Sequence, residues 1–232
     1  MTQLSEKIWQ RDSAREIMRE ARKNFRIARG QKGAVAYTSL ASAHYSLAGR
    51  YKEHFWQYPM AAWHMFAAAS HAIYAANIIE QVTIRYSSNE ADVISRILAR
   101  VPAWLGGDKL HAKRILYHFL DTPTADILPH TKALMFITLG EIEWKQGSKT
   151  AARDSYRQAK SLVTEIERED SEDRKKQLVR VVSAIGFFEY DHGPTLGRYF
   201  AKKVIKRTLD LARQVSKDQE RKILAECRKR GI

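Results

Sequence analysis

Apolar residues recur every three or four positions along most of the chain, rather than every two. This spacing places them on one face of an α-helix. Glycine, proline and polar clusters divide the pattern into separate segments. The pattern predicts helices at about residues 5–29, 34–48, 58–82, 92–101, 110–120 and 201–230, with a helical pair near 133–162. The sequence therefore predicts an all-α fold.

The most apolar stretch, residues 58–79 (YPMAAWHMFAAASHAIYAANII), has about the length of a membrane span. It begins with Tyr-Pro, however, and contains two histidines, an asparagine and many alanines. Such a composition is weakly hydrophobic for insertion into a bilayer. We expect a buried, tightly packed helix here and no membrane partner.

The most regular spacing of small residues lies between residues 133 and 162. Gly140 and Ala152 are placed so that they face each other where two antiparallel helices cross, since larger side chains would force the backbones apart. Gly147 lies between the two helices, where the absence of a Cβ permits the turn. The full set of spaced positions is Phe136, Leu139, Gly140, Gly147, Ala152, Tyr156 and Ala159.

This hairpin resembles a tetratricopeptide repeat (TPR), which has Leu-Gly in its first helix, glycine at the turn, and alanine, an aromatic residue and alanine in its second helix. One position departs, because Glu143 stands where the family has an aromatic residue, with Trp144 beside it. Two stretched echoes occur elsewhere. The first consists of Tyr37, Leu40, Ala41, Ala62, Phe66 and Ala69, and the second of Ile185, Gly186, Gly193, Ala201 and Ile205. An ordinary antiparallel helix pair in a bundle is the alternative interpretation.

The resemblance implies a right-handed solenoid of TPR-like helical hairpins with basic helices at both ends. We expect the repeat domain at residues 34–215, with its clearest repeat at 131–164. A basic amphipathic helix at 1–30 precedes this domain. The basic end of a C-terminal helix, at 216–232, follows it.

Such arrays imply a non-enzymatic protein–protein adaptor or scaffold, because their first helices line a concave surface that receives a peptide or helix of a partner. A mixture of aromatic and polar side chains at these positions suits recognition. Carried onto this chain, the groove positions are Thr38, Ser42, Tyr45, Thr138, Glu141, Trp144, Lys145, Phe187 and Tyr190. For Trp144 and Tyr190, packing against the neighbouring hairpin is an alternative that the sequence leaves open.

Positive charge is concentrated at the two ends of the chain. The formal net charge is +14, of which residues 1–30 carry +4, residues 31–170 carry +2 and residues 171–232 carry +8. This asymmetry favours an acidic partner, and the alternative function is a nucleic-acid-associated factor that contacts phosphates through its basic terminal helices. The candidate phosphate contacts are Lys202, Lys203, Lys206 and Arg207. A solvated helix face, or a polar cap on the solenoid, is the simpler interpretation of the same residues.

Signatures of catalysis and metal binding are missing from the sequence. No phosphate-binding loop, GxSxG elbow, HExxH zinc motif or pair of CxxC motifs occurs. His64 and His71 lie seven residues apart, as do His111 and His118, and a rise of about 10 Å is too long for one metal ion. We therefore expect no enzymatic activity, no cofactor and no metal. The single cysteine, Cys227, and the lack of a signal peptide favour the cytoplasm.

Overall fold

The computed structural model describes residues 31–52, 57–81, 88–122, 127–168 and 172–232. Every regular element in these ranges is helical, which confirms the all-α prediction. The helix predicted within residues 1–30 lies outside the described residues. The chain divides into two compact units, unit 1 at Met1–Asp126 and unit 2 at Ile127–Ile232. The expected repeat domain at 34–215 spans parts of both.

The described helices of unit 1 follow the predicted segments closely. They are α1 (Gln31–Tyr51), α2 (Tyr58–Gln81), α3 (Ser88–Arg100) and α4 (Lys109–Leu120), with a 3₁₀ turn at Ala103–Leu105. Pro102 and Gly106 occupy the connection between α3 and α4, and Gly106 has a left-handed φ of 88°. Asp108 begins α4 by accepting a hydrogen bond from the backbone N–H of His111 at 2.9 Å.

Alanines pack the hairpin of α1 and α2. Ala41 of α1 and Ala68, Ala72 and Ala76 of α2 are completely buried. Because these side chains are short, the two helices can lie close together over several turns.

The outer face of α2 carries large rings. Trp63, Phe66 and Tyr74 are all exposed. The predicted burial of segment 58–79 is therefore correct for its alanine face and wrong for the opposite face. None of the described helices is both long enough and apolar enough to cross a membrane.

Unit 2 consists of two hairpins and a closing helix in its described residues. Its elements are α5 (Pro129–Lys145), α6 (Lys149–Ser161), the short α7 (Val163–Glu167), α8 (Glu172–His192), α9 (Thr195–Val215) and α10 (Lys217–Arg230). The first hairpin, α5/α6, coincides with the small-residue pattern, and the second is α8/α9. Pro129 lies in the first turn of α5, where a missing backbone N–H costs nothing.

Gly140 lies at the crossing of α5 and α6, as predicted. A Cβ at this position would lie 2.6 Å from two carbons of the Tyr156 ring and 3.2 Å from the carbonyl oxygen of Ala152. No side chain fits there, so the tyrosine ring lies directly against the backbone of α5. Gly147 forms the predicted turn with a φ of 85°.

Glu143, the residue that departs from the repeat pattern, is buried inside this hairpin. Its carboxylate accepts a hydrogen bond from Ser155 Oγ at 2.8 Å. Its backbone carbonyl accepts another from the amide of Ser148 at 2.9 Å. A buried carboxylate needs such partners. Glu143 and Ser155 thus form a polar link between α5 and α6.

The helical run predicted from Ala201 to Arg230 is interrupted, because α9 ends at Val215. Ser216 has an extended backbone, with φ −162° and ψ 114°. Its side chain accepts a hydrogen bond from the amide of Gln219 at 3.4 Å, which caps α10. α10 then turns back so that Ile223 and Cys227 are buried in the core of the second hairpin.

Candidate functional site

A cleft of about 780 Å³ opens in unit 2 between α6 and the C-terminal end of α8. Its volume lies in the range of roughly 300–1,000 Å³ that ligand sites occupy. We name it the unit-2 cleft. It is lined by Arg153, Tyr156, Arg157, Lys160, Phe188, Glu189, His192, Gly193 and Pro194.

Aromatic rings form the floor of the unit-2 cleft. Tyr156 and Phe188 are stacked, with ring centroids 3.6 Å apart and planes inclined by 10°. His192 meets Phe188 edge-on at 4.9 Å and stacks on Trp144 at 3.9 Å. Because Gly140 has no side chain, the ring of Tyr156 lies close to the backbone of α5, and a larger residue at this position would push the ring outward.

Three cations of α6 form one side of the cleft. Arg153, Arg157 and Lys160 are spaced by four and three residues, so they share a helix face. Arg157 pairs with Asp154 at 2.8 Å, and Lys160 pairs with Glu189 at 2.8 Å. These pairs are largely exposed, where ion pairs contribute little and exchange readily. No carboxylate in the described part of the chain forms an ion pair with Arg153.

His192 is a neutral ring at the end of the cleft. Burial lowers its pKa below the ordinary value of 6.5. Asp191 acts in the opposite direction, but the charges of Arg230 and Arg153 add to the lowering. The imidazole is therefore uncharged at neutral pH, and the positive potential of the cleft comes from α6.

The unit-2 cleft thus combines flat rings with cations whose exposed ion pairs can be exchanged for contacts with an anionic ligand. Rings provide contact area at low entropic cost, and guanidinium groups bind carboxylates and phosphates with directed hydrogen bonds. The arrangement suits a ligand that carries both an apolar group and negative charge.

The predicted groove positions differ widely in exposure. Thr38 and Thr138 are buried, and their hydroxyls donate to the carbonyl oxygens of Ala34 at 2.8 Å and Leu134 at 3.0 Å. A buried hydroxyl that donates a hydrogen bond to the carbonyl oxygen one turn earlier in its own helix is not accessible to a partner. Ser42 and Lys145 are exposed, and Tyr45 and Glu141 are partly buried.

Three aromatic groove positions pack against neighbouring helices. Trp144 stacks on His192 of α8. The guanidinium of Arg230 lies 4.6 Å from the ring centre of Phe187. The hydroxyl of Tyr190 donates a long hydrogen bond of 3.4 Å to the carbonyl oxygen of Arg230. For Trp144 and Tyr190, the packing that the sequence left open is therefore present.

The four candidate phosphate contacts lie together on α9. Lys202, Lys203, Lys206 and Arg207 are all exposed, as contact with a phosphate requires. None of them lines the unit-2 cleft. They form a separate surface on α9.

Sequence reasoning missed the residues that line the unit-2 cleft. The spacing of Arg153, Arg157 and Lys160 could have revealed a cationic helix face. Phe188 and His192 reach the same place only because α8 packs across α6. Such a tertiary contact leaves no signal in the local pattern.

A second polar cluster that the sequence did not reveal is buried in unit 1. The Nδ1 atoms of His44 and His64 lie 2.8 Å apart, so one ring donates and the other accepts. His71 stacks on His44 with ring centres 5.5 Å apart. Burial lowers the pKa of His64. Within the described residues, no group of three or more His, Cys, Asp or Glu side chains could hold a metal ion.

The chain matches no model of a known protein family. No curated protein matches its sequence either.

Proposed function

We propose that this chain is a non-enzymatic protein–protein adaptor whose unit-2 cleft holds an acidic segment of a partner protein. The observation that carries the proposal is the cleft, in which the stacked rings of Tyr156 and Phe188 lie beside the cations of α6. An acidic segment with one apolar or aromatic side chain complements both parts. That side chain packs on the rings, while its carboxylates bind the cations.

A tetratricopeptide-like arrangement of unit 2 is part of this proposal. The hairpins α5/α6 and α8/α9 follow each other, and α8 packs against both helices of the first hairpin. Gly186 of α8 resembles Gly140 in its surroundings, because a Cβ there would lie 3.0 Å from Ile205 of α9. Repeat proteins bury their apolar faces by stacking hairpins in this way. These features support the resemblance found in the sequence.

The proposed binding surface differs from the one that the resemblance implies. Tetratricopeptide arrays receive partners along the first helices of their hairpins, which here gives positions such as Glu141 and Lys145 of α5. The unit-2 cleft lies instead between the second helix of one hairpin and the first helix of the next. Trp144 still contributes, because its ring supports His192 at the end of the cleft.

The length of the cationic face fits a short extended peptide. From Arg153 to Lys160, α6 rises about 10 Å. Three residues of an extended chain cover about the same distance. Since alternate side chains of an extended chain point the same way, two carboxylates can reach α6 while the residue between them points elsewhere.

The cleft is poorly suited to catalysis. Among the described residues that line it, Glu189 is the one carboxylate, and it is paired with Lys160 at 2.8 Å. The imidazole of His192 is stacked on Trp144. General acid–base catalysis needs groups that can reach the reacting atoms with a matched pKa. Binding without chemistry is the function that these side chains support better.

Selection of peptides from a random library displayed on phage, with the full chain as bait, tests the proposal. We expect enriched peptides to combine Asp or Glu with an aromatic residue. Such a peptide should bind the Arg153→Gln/Arg157→Gln variant about tenfold more weakly, because two charge-assisted contacts are lost. The matched control, Lys206→Gln/Arg207→Gln, removes the same charge from α9 and should bind like the wild type.

Two results of this experiment contradict the proposal. One is the enrichment of neutral or basic peptides, since the cations of α6 give them no advantage. The other is an equal loss of affinity in the two variants, which attributes binding to net charge and not to the cleft.

A further inference from the structure

The solvent face of α9 is a second surface, and it shares no lining residue with the unit-2 cleft. We name it the α9 basic face, and it consists of Tyr199, Phe200, Lys202, Lys203, Lys206 and Arg207. Its two rings are more than half exposed, at 55% for Tyr199 and 54% for Phe200. The opposite face of α9 is buried in unit 2 through Ala201, Ile205 and Ala212. The helix is therefore fixed by its inner face while rings and cations point outward.

The cations of this face differ from those of α10 in their surroundings. On α10, Lys222 pairs with Asp218 at 2.6 Å and Lys229 pairs with Glu226 at 2.6 Å. As far as the structure describes the chain, none of the four cations on the α9 basic face forms an ion pair with a carboxylate. Like charges held on one face repel each other, so an anionic ligand that neutralises them is favoured.

Rings and charges lie side by side on this face. The ammonium group of Lys203 lies 4.6 Å from the ring centre of Tyr199, and that of Lys202 lies 5.6 Å from Tyr190. From Tyr199 to Arg207, α9 rises about 12 Å. A stacked strand covers that length with roughly three to four nucleotides.

We infer that the α9 basic face binds single-stranded nucleic acid without sequence preference. The lysines and Arg207 contact phosphates, and Tyr199 and Phe200 stack on unpaired bases, a combination that recurs in surfaces for single strands. A duplex keeps its bases stacked inside and leaves the two rings unused. A lipid bilayer fits less well, because beyond the rings this face is charged and lacks the aliphatic side chains that enter a membrane.

Fluorescence anisotropy of a labelled oligouridine of about 20 nucleotides measures this binding with the full chain. Four phosphate contacts predict that log K falls with log salt at a slope near −3. The Lys203→Gln/Lys206→Gln/Arg207→Gln variant should bind about tenfold more weakly at low salt, with a slope smaller by about 2. The Tyr199→Ala/Phe200→Ala variant should lose about tenfold on the oligouridine and keep its affinity for a DNA duplex.

The matched control removes three charges from α6 through Arg153→Gln, Arg157→Gln and Lys160→Gln. It should bind the oligonucleotide within about threefold of the wild type, because its α9 basic face is intact. Circular dichroism checks that every variant keeps its helices, as expected for exposed side chains.

Several outcomes overturn the inference. They are failure of the wild type to bind oligouridine, equal losses in the two triple variants, and an unchanged affinity of the ring variant for the single strand. Polyglutamate that competes as well as oligouridine would assign the face to an acidic protein. Tighter binding to phosphatidylserine vesicles than to the oligonucleotide would assign it to anionic lipid. The peptide test of the unit-2 cleft depends on Arg153 and Arg157 and uses Lys206 and Arg207 only in its control, so the two proposals can fail separately.

Discussion

The α1/α2 hairpin of unit 1 and the α5/α6 hairpin of unit 2 bring two helices together in different ways. In the first, close contact is spread over several alanines, of which Ala41, Ala68 and Ala72 are completely buried. In the second, it depends on Gly140, against which the ring of Tyr156 lies. A substitution at one alanine of unit 1 therefore disturbs one close contact among several. At Gly140 of unit 2, in contrast, a single added methyl group meets the ring of Tyr156.

The second helices of the two hairpins also differ in their aromatic residues. In the stretched echo of the repeat pattern, Phe66 of α2 corresponds to Tyr156 of α6. Phe66 is 54% exposed, whereas Tyr156 is 7% exposed. Unit 1 thus keeps the small residues of the pattern but turns the ring outward. In unit 2 the ring instead forms part of the floor of a cleft with cations beside it.

The largest effect is expected for Gly140→Leu. Its side chain has to enter the space of the Tyr156 ring, where even a Cβ would lie 2.6 Å from ring carbons. Overpacking of this kind costs about 3 kcal/mol of unfolding free energy. Thermal melting followed by circular dichroism should show early loss of the helices of unit 2. A melting curve like that of the wild type would contradict the packing assigned to the crossing.

A smaller change at the same position sharpens the comparison between the hairpins. Gly140→Ala should lower the unfolding free energy by about 1 kcal/mol, because the clash outweighs the better helix propensity of alanine. Gly49→Ala in α1 is the matched control, since a Cβ there has no heavy atom within 4 Å. That variant should be more stable by up to about 1 kcal/mol. If Gly140→Ala also stabilises the protein, helix propensity and not packing decides at Gly140.

Trp144→Ala should leave the fold intact and weaken binding in the unit-2 cleft. The substitution removes the ring on which His192 stacks, which costs about 2 kcal/mol at a partly buried site. The acidic peptide should then bind several-fold more weakly, because the end of the cleft loses its support. Trp104→Ala in unit 1 is the control, since that side chain is exposed and should affect neither property. If Trp144→Ala unfolds unit 2 as completely as Gly140→Leu, the proposed role of this ring in binding is wrong.

The sequence predicted the α5/α6 hairpin well because glycine has few reasons to occur inside a helix. Gly140 and Gly147 each report a backbone constraint that no other residue satisfies, so their spacing carries structural information. The break at Ser216 also left a signal, since a serine followed by Asp218 and Glu220 is typical of a helix start. The apolar period continues across this serine, and the pattern alone therefore predicted one helix where there are two.

The unit-2 cleft and the histidine cluster could not be predicted in the same way. His44 and His64 are 20 residues apart and belong to different helices. Phe188 reaches Tyr156 only through the packing of α8 on α6. Periodicity assigns a residue to a face of its own helix, but it does not say which residue of another helix will lie opposite.

The smallest effect we predict is a pH dependence of the stability of unit 1. Burial lowers the pKa of His64, so the folded chain binds a proton less readily than the unfolded chain, whose histidine titrates near 6.5. The unfolding free energy should therefore fall as the pH drops below about 6.5, and it should level off once the pH is below the pKa of the folded state. Hydrogen exchange resolves this locally: after correction for the slower intrinsic exchange in acid, the opening of α1 and α2 should accelerate, so that the protection factors of their amides fall in mild acid. In His64→Gln this acceleration should largely disappear, whereas His192→Gln, a control in unit 2, should leave it unchanged. If His64→Gln retains the full acceleration, the buried pair of His44 and His64 is not its origin.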